Sequence, residues 1–284
     1  MPGHSEKIGF IGAGNMAEAI IGATISAGIA PAGNIYISDI DPERTNKLEA
    51  LHQITILPAN TAIVNECDTI FFAVKPQQVK SVLQGLAADG AFEIISGKKR
   101  VVSIAAGTRM ATYENIIYEK LPAEDRYQFP IIRVMPNTPA LVSAGTSALC
   151  ANDYASTEDL DIIRKILGAM GKFFECPESD MNAFTAVAGS GPAYGFYLIE
   201  AMTDAGIELG LARKEALDMT VSTLKGALKL LEAKKTAPEI LRRNVTSPGG
   251  TTEAAIAVME NHKVKSVIIE AVVAAARRAA ELSK

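Results

Sequence analysis

Three small residues near the N-terminus, Gly12, Gly14 and Ala17, have the spacing of a phosphate-binding turn. The first glycine permits a tight turn, and the second lets the backbone approach a diphosphate closely. The helix that follows directs its free N–H groups and the positive end of its dipole at the same point. The same spacing also occurs in strand–turn–helix units that bind nothing. Here a buried strand precedes the turn and a second strand follows the helix, which favours a dinucleotide site.

An acidic residue, Asp39, ends that second strand. At this distance from Gly14 a carboxylate accepts a hydrogen bond from a ribose 2′-hydroxyl, and it repels a 2′-phosphate. The sequence therefore predicts that NADH is used comparatively well. Arg44 follows five residues later and is a cation able to offset that charge.

Two further strand ends carry candidate ligand contacts. Lys75 ends a long apolar strand, at the edge where doubly wound sheets bind ligands. A solvated lysine at a strand end is an equally good interpretation. After the next strand, the small residues 103–107 either let a flat nicotinamide ring approach the backbone or form a plain turn. Later in the chain, Pro136 and Pro139 fix the backbone around Asn137, which either faces a ligand or forms a structural bend.

A loop before the last helical stretch combines hydroxyls with backbone N–H groups at a helix N-terminus. Its members are Ser247, Gly249, Gly250, Thr251 and Thr252. Such a loop is suited to bind a carboxylate. We expect Thr251 or Thr252 to cap the helix and Glu253 to add acidic charge to its first turn. A capped interhelical loop without a ligand is the alternative.

Groups needed for several other chemistries are missing from these loops. The three histidines, His4, His52 and His262, lie elsewhere, and neither a serine nucleophile motif nor a metal-ligand cluster is present in the sequence. Oxidation of an alcohol usually needs a base. Reduction of a C=N bond needs less, because a protonated iminium accepts hydride readily once it is positioned. The missing base is therefore easier to reconcile with reduction of a C=N bond than with oxidation of an alcohol.

Composition limits the class of protein further. The chain has 284 residues, is 48% hydrophobic and carries a formal charge of −4, so nucleic acid is not an expected partner. Its three cysteines have neither metal-like spacing nor even pairing, which is typical of a reducing cytosol and of core residues. We expect no signal peptide, no membrane span and a cytoplasmic location.

The elements that position these loops fall into two halves. Strand-like runs at 7–12, 34–39, 67–76 and 101–107 alternate with helical stretches at 16–27, 42–51, 77–88 and 112–120. Further strands are predicted at 130–139, at 145–151 and near Phe173. Apolar strands joined by helices indicate a parallel α/β sheet of doubly wound, Rossmann type. From about Asp180 onward only helices are predicted, at 181–188, 191–209, 214–233, 237–244 and 251–283.

These patterns predict two domains, a dinucleotide-binding domain at 1–176 and a helical domain at 177–284. Several helices of the second domain are apolar on more than one face, as in the run SVIIEAVVAAARRAA. A domain of this size offers limited interior to bury them. We therefore expect a helical dimer interface, with an unusually apolar monomer core as the alternative.

The motifs IGAGNMAEAI, AVKP, MPNTP, GSGPAY and SPGGTT occur in this order. Together they resemble the pyrroline-5-carboxylate reductases, and the resemblance extends from Ile8 to about Glu281. It implies reduction of pyrroline-5-carboxylate to L-proline with NADPH or NADH, the last step of proline biosynthesis. It also implies a Rossmann domain followed by a helical domain, and homodimers that often assemble into decamers. No metal is implied.

The resemblance also assigns roles to particular positions. Cofactor contacts fall on Gly12, Gly14, Asn15 and Met16 for the pyrophosphate, on Ser38, Asp39 and Asn60 for the riboses, and on Val74, Lys75, Pro76, Ala105 and Ala106 for the nicotinamide. Asn137 is grouped with them. Ser247, Gly249, Gly250, Thr251 and Thr252 are expected to hold the substrate. Thr252 matches the threonine expected to hydrogen-bond the ring nitrogen, and it is the catalytic candidate.

Two positions depart from the family pattern. Ala188 stands where members often have serine, and Asp39 stands where members that favour NADPH often have small hydroxyl residues.

Two other classes of protein remain open. A β-hydroxyacid dehydrogenase would carry a helical G-K-x-x-N motif, whereas the nearest match, GKFFE at Gly171, lacks the asparagine. A non-catalytic NAD(P)-binding regulator would need neither the MPNTP nor the SPGGTT loop.

Overall fold

The computed structural model describes residues 6–93 and 97–282. The chain forms two compact units. The first comprises the residues up to Ser190 together with those from Ala275 onward, and the second is Gly191–Ala274. The composition of the sequence changes near Asp180, whereas the packing changes at Ser190.

Eight strands form a single sheet in the described part of the first unit, in the order β3-β2-β1-β4-β5-β6-β7-β8. The strands are β1 Ile8–Ile11, β2 Ile35–Ser38, β3 Thr55–Ile56, β4 Thr69–Phe72, β5 Arg100–Ser103, β6 Ile131–Met135, β7 Gly145–Ala151 and β8 Gly171–Glu175. Neighbours from β3 to β6 pair in parallel. The chain winds outward from β1 in both directions, which confirms the predicted doubly wound sheet.

Helices cover both faces of this sheet. They are α1 Asn15–Ser26, α2 Pro42–His52, α3 Asn60–Glu66, α4 Pro76–Ala88, α5 Met110–Ile117, α6 Thr157–Met170 and α7 Met181–Phe184, and a π-helical turn, Thr185–Gly189, follows α7. One face buries Phe10 and Phe71 against residues of α1 and α6. The other buries Phe72 and Tyr113 together with residues of α3 and α4. The apolar strands are therefore enclosed within this unit.

Strand β7 is the exception to the predicted parallel order, because it runs antiparallel to β6, with Met135 opposite Ala148. Parallel neighbours need a long crossover, usually a helix. Between β6 and β7 the chain forms only a short 3₁₀ turn, Thr138–Val142. The sheet is therefore parallel in its other pairings and antiparallel between β6 and β7. Strand β8 is again parallel to β7, after the intervening helix α6.

The second unit is helical, and its chain continues into the last helix of the protein. The helices are α8 Gly191–Glu208, α9 Arg213–Lys234, α10 Pro238–Asn244, α11 Thr251–Asn261 and α12 Val264–Leu282. The prediction of one helix over 251–283 was wrong, and residue 283 lies outside the described residues. The helix is interrupted between α11 and α12, where Lys263 adopts a left-handed backbone conformation with a φ of 53°. Neither glycine nor proline marks this break in the sequence.

Small residues form the buried seam of the second unit. Helices α8 and α9 approach so closely that a Cβ added at Gly206 would lie 2.8 Å from the Cβ of Ala216. Thr203 and Thr220 are buried on the same two helices. The large apolar side chains are instead exposed, among them Phe196, Tyr197, Met219, Leu228, Val258, Val267, Ile268 and Ile269. None of the described helices has the length and hydropathy needed to cross a membrane.

Candidate functional site

The turn between β1 and α1 requires glycine at its first position. Gly12 has a φ of +107°, and an added Cβ would lie 2.7 Å from the carbonyl carbon of Ala73. Its N–H donates to the carbonyl oxygen of Ser38 at 2.8 Å, which ties the turn to the end of β2. Gly14 instead faces open space and is the N-cap of α1. The first glycine is therefore fixed by the fold, and the second leaves room for a ligand.

A cleft of about 330 Å³ opens beside this turn, at the carboxyl ends of β1, β2 and β4. Seven predicted cofactor residues line it, namely Gly12, Gly14, Ser38, Asp39, Asn60, Val74 and Lys75. Six further lining residues were not singled out from the sequence, namely Ile11, Ile40, Asp41, Ala73, Gln78 and Val82. Ile40 is 90% exposed, which is unusual for an isoleucine and marks it as a candidate contact for a flat base.

The remaining cofactor candidates lie on neighbouring segments and not in the lining of the cleft. Asn15 and Met16 are the first residues of α1, and Pro76 is the first residue of α4. Ala105 and Ala106 follow β5, and Ala105 is buried. The N–H of Ala105 is 3.4 Å from the hydroxyl of Ser103, which in turn accepts a hydrogen bond from the buried Tyr113 hydroxyl at 2.8 Å.

Asn137 is held by backbone groups on two sides. Its amide nitrogen donates to the carbonyl oxygen of Ala188 at 2.9 Å, and its amide oxygen accepts from the N–H of Thr146 at 2.8 Å. The residue is 8% exposed. These contacts favour the structural bend that the sequence left open. A contact between Asn137 and the cofactor stays a prediction.

The carboxylate of Asp39 is oriented by the backbone of the cleft. One oxygen accepts the N–H of Ala13 at 2.6 Å, and the other accepts the N–H of Asp41 at 2.9 Å. A carboxylate oxygen can accept about two hydrogen bonds. Each oxygen of Asp39 therefore keeps capacity for a further donor, such as a ribose hydroxyl.

Arg44 is bound to the glycine turn and to α1. Its Nε donates to the carbonyl oxygen of Ala13 at 2.6 Å, and its Nη2 donates to Asn15 Oδ1 at 3.0 Å and to Glu18 Oε2 at 2.6 Å. The sequence raised Arg44 as a cation able to offset Asp39. The structure instead pairs it with Glu18, a partner that the sequence did not suggest because the two residues lie on different helices.

The loop predicted to bind a carboxylate lies in the second unit, at the start of α11. Gly249 has a φ of +71°, and its N–H donates to the carboxylate of Glu253 at 2.8 Å. The prediction that Thr251 or Thr252 caps this helix was wrong. Gly250 is the N-cap and makes no side-chain cap, and the two threonines are the first helical residues. The threonine hydroxyls are therefore not used as caps, and the free N–H groups of the first turn remain available for an anion.

Thiolate and metal chemistry find little support in the described residues. Cys67 and Cys150 are buried, and burial raises the pKa of each thiol to about 12, so both are protonated at neutral pH. Within residues 6–93 and 97–282, histidine, cysteine and acidic side chains form no group of three that could hold a metal ion. His52 and His262 lie at the C-terminal ends of α2 and α11.

The strand order and the cleft define the class, a Rossmann-fold protein with a dinucleotide-binding site. Family models agree for both parts of the chain. Residues 7–107 match a model described as NADP oxidoreductase, coenzyme F420-dependent. Residues 178–282 match a model described as pyrroline-5-carboxylate reductase dimerisation.

Whole-chain comparisons identify the family. The chain is 39% identical over 279 residues to the pyrroline-5-carboxylate reductase of Pseudomonas aeruginosa, covering 98% of this chain and 97% of that protein. It is 37% identical to the soybean (Glycine max) enzyme of the same name, covering 100% and 98%. The chain therefore belongs to the pyrroline-5-carboxylate reductase family.

Solved structures agree with that assignment. A Plasmodium falciparum pyrroline carboxylate reductase with NADP bound superposes with a TM-score of 0.87 at 28% identity, covering 99% of this chain and 100% of that one. A pyrroline-5-carboxylate reductase from Coxiella burnetii gives a TM-score of 0.84 at 32% identity, with the same coverage.

Proposed function

We propose that this protein is a pyrroline-5-carboxylate reductase, which reduces the C=N bond of pyrroline-5-carboxylate to give L-proline in the last step of proline biosynthesis. The observation that supports this most strongly is family membership over the whole chain, joined to a cleft built for a dinucleotide. NADPH or NADH supplies the hydride when bound. The cleft fits such a cofactor, because Gly14 leaves open space at the N-terminus of α1.

Each side of the cleft has a separate task in this proposal. The N–H groups of Gly14, Asn15 and Met16 face the pyrophosphate, where the positive end of the α1 dipole favours its charge. Asp39 accepts a ribose hydroxyl, with Ser38 and Asn60 beside the riboses. The nicotinamide side consists of Val74, Lys75, Pro76, Ala105 and Ala106, and Asn137 stays a predicted member of the cofactor set.

The loop at the start of α11 is proposed to hold the substrate. Ser247 and Thr251 offer donors to its carboxylate, Gly249 and Gly250 shape the loop so that the substrate can approach the backbone, and Thr252 hydrogen-bonds the ring nitrogen. A protonated iminium already attracts hydride, so the protein has to position the ring and exclude water, and it needs no strong base. This requirement agrees with the scarcity of histidine around both groups of residues.

Assembly is part of the proposal. We assign residues 178–282 to a homodimer interface, since many of the described large apolar side chains of α8, α9, α11 and α12 are exposed in one chain. We also propose that the dimers assemble into a decamer and that the protein is located in the cytoplasm. We propose that the predicted domain at 1–176 binds the cofactor. The predicted domain at 177–284 then forms the dimer and binds the substrate.

Oxidation of NADH and NADPH in the presence of pyrroline-5-carboxylate tests the proposal, with L-proline identified as the product. The β-hydroxyacid dehydrogenase alternative predicts instead that NAD(P)⁺ is reduced with a β-hydroxyacid. The regulator alternative predicts cofactor binding without turnover of either substrate. Proline formation at a rate no greater than that of the heat-inactivated protein would contradict the proposed function.

Cofactor preference has its own test. We expect NADH to be used comparatively well, because Asp39 stands where a 2′-phosphate would lie. The measurement is kcat/KM for both cofactors in the wild type and in Asp39→Ser, and the substitution should shift the ratio toward NADPH. A strong NADPH preference of the wild type would contradict this expectation.

A further inference from the structure

Arg44 is the cation nearest in sequence to Asp39, which marks the ribose end of the cleft. Its guanidinium is nevertheless bound to the glycine turn and to Glu18 on α1. We infer that Glu18 sets the cofactor preference by holding Arg44 against the glycine turn, so that the cleft favours a dinucleotide with a free 2′-hydroxyl. This inference rests on the proposed function, because it concerns the cofactor of that reaction.

The contacts of Arg44 support the first step. Three acceptors hold its guanidinium, namely the carbonyl oxygen of Ala13, the amide oxygen of Asn15 and the carboxylate of Glu18. The ion pair with Glu18 is 2.6 Å long, and both side chains are 21% exposed. Hydrogen bonds between charged groups are the stronger ones, so the carboxylate is the contact that fixes the position of Arg44.

The charges that line the cleft support the second step. Asp39 and Asp41 both line it, and Lys75 is the cation among its described lining residues. A 2′-phosphate carries close to two negative charges at neutral pH and needs a guanidinium or ammonium partner near the ribose. With Arg44 held by Glu18, the ribose end of the cleft presents carboxylates, which accept hydroxyl groups and repel phosphate.

The surroundings of Glu18 leave Arg44 as its main partner. Lys47 is 3.8 Å from the same carboxylate oxygen and is largely exposed, so its pairing is weak. His52 also faces Glu18. Burial lowers the pKa of this histidine in spite of the neighbouring carboxylate, so the imidazole is neutral at pH 7 and does not compete.

The substitution Glu18→Gln tests the inference, with binding of NADPH and NADH measured separately by titration of nicotinamide fluorescence. Arg44 loses its charged partner and becomes available to the 2′-phosphate. We expect the Kd for NADPH to fall about tenfold and the Kd for NADH to change less than about twofold. Binding needs no substrate, so this readout is separate from turnover of pyrroline-5-carboxylate.

Two controls separate release of Arg44 from a general change of charge. Glu43→Gln removes one negative charge from α2 beside Arg44, and Glu43 is exposed and makes only a backbone hydrogen bond to Asp41 among its recorded contacts. It should leave the ratio of the two Kd values within about twofold of the wild type. The double variant Glu18→Gln with Arg44→Gln should lose the gain in NADPH binding.

Several outcomes would overturn the inference. One is an equal change for both cofactors in Glu18→Gln, and another is a gain that persists without Arg44. The single variant Arg44→Gln gives an independent answer even if Glu18→Gln folds poorly. It should affect both cofactors alike, and a selective loss of NADPH binding would mean that Arg44 already contacts the phosphate. Failure to bind either cofactor would contradict the proposed function itself.

Discussion

The two units of this chain treat their apolar residues in opposite ways. In the first unit Phe10, Phe71 and Ile132 are fully buried between the sheet and its helices. In the second unit the buried residues are small, whereas Phe196 and Tyr197 are 65% and 75% exposed. The first unit therefore encloses its own core, and the second presents a surface that another protein surface must cover. Cofactor binding should accordingly depend on one chain, and substrate turnover on the assembled protein.

The largest expected effect comes from a charge on that exposed surface. Ile268→Glu on α12 should dissociate the oligomer and abolish most turnover, because a carboxylate buried at an apolar interface costs several kcal/mol (about 3 or more). Sedimentation velocity and kcat are the measurements. Leu51→Glu is the matched control, since Leu51 in the first unit is 58% exposed and Ile268 is 56% exposed. If both variants behaved alike, the contrast between the units would be wrong.

The next effect concerns the loop at the start of α11. Thr252→Ala should lower kcat/KM for pyrroline-5-carboxylate by on the order of 10- to 1000-fold, because it removes one hydrogen bond to the reacting ring. NADH binding should stay unchanged, as the cleft lies in the first unit. Thr252→Ser keeps the hydroxyl and should retain most activity. Full activity of Thr252→Ala would exclude the assigned role.

The glycine turn gives a smaller effect and separates folding from binding. Gly12→Ala places a Cβ 2.7 Å from the backbone of Ala73 at a positive φ, so the free energy of unfolding should fall by about 2–3 kcal/mol. Gly14→Ala meets open space and should leave the melting temperature unchanged while weakening NADH binding. Equal stability losses in the two variants would contradict the geometry of the turn.

The ion pair between Asp159 and Lys98 in the first unit gives the smallest effect, which is confined to the stability of the fold. Burial alone would raise the pKa of Asp159, but hydrogen bonds from Lys98 and Ser156 outweigh it and hold this pKa below its usual value. Asp159→Asn should lower the free energy of unfolding by about 2 kcal/mol at pH 7 without changing the oligomer.

The pH dependence of that loss follows from the direction of the shift. A carboxyl with a depressed folded pKa stabilises the protein above its unfolded pKa, and this contribution disappears as the pH falls through the folded value. The difference between the wild type and Asp159→Asn should therefore shrink below about pH 4. Denaturant titrations at several pH values measure it, and a difference that does not change with pH would contradict the assignment.

Local patterns were enough to predict much of the first unit. The apolar strands β1, β2 and β4 and the glycine turn follow from short-range rules, and seven predicted residues meet in one cleft. Three features were beyond such rules. The antiparallel β7 depends on a connection without a crossover helix, the break before α12 falls on Lys263, and the pairing of Arg44 with Glu18 joins two helices. Contacts between distant segments decide each of them, and hydrophobic periodicity does not record such contacts.

The central claim is hydride transfer to a C=N bond, and isotope transfer tests it most directly. NADH deuterated at the transferring position of nicotinamide C4 is incubated with the assembled protein and pyrroline-5-carboxylate, and the product is analysed by mass spectrometry and NMR. The account predicts L-proline with one deuterium on the ring carbon of the former C=N bond. Proline without deuterium at that carbon, or oxidation of NADH without proline, would contradict it.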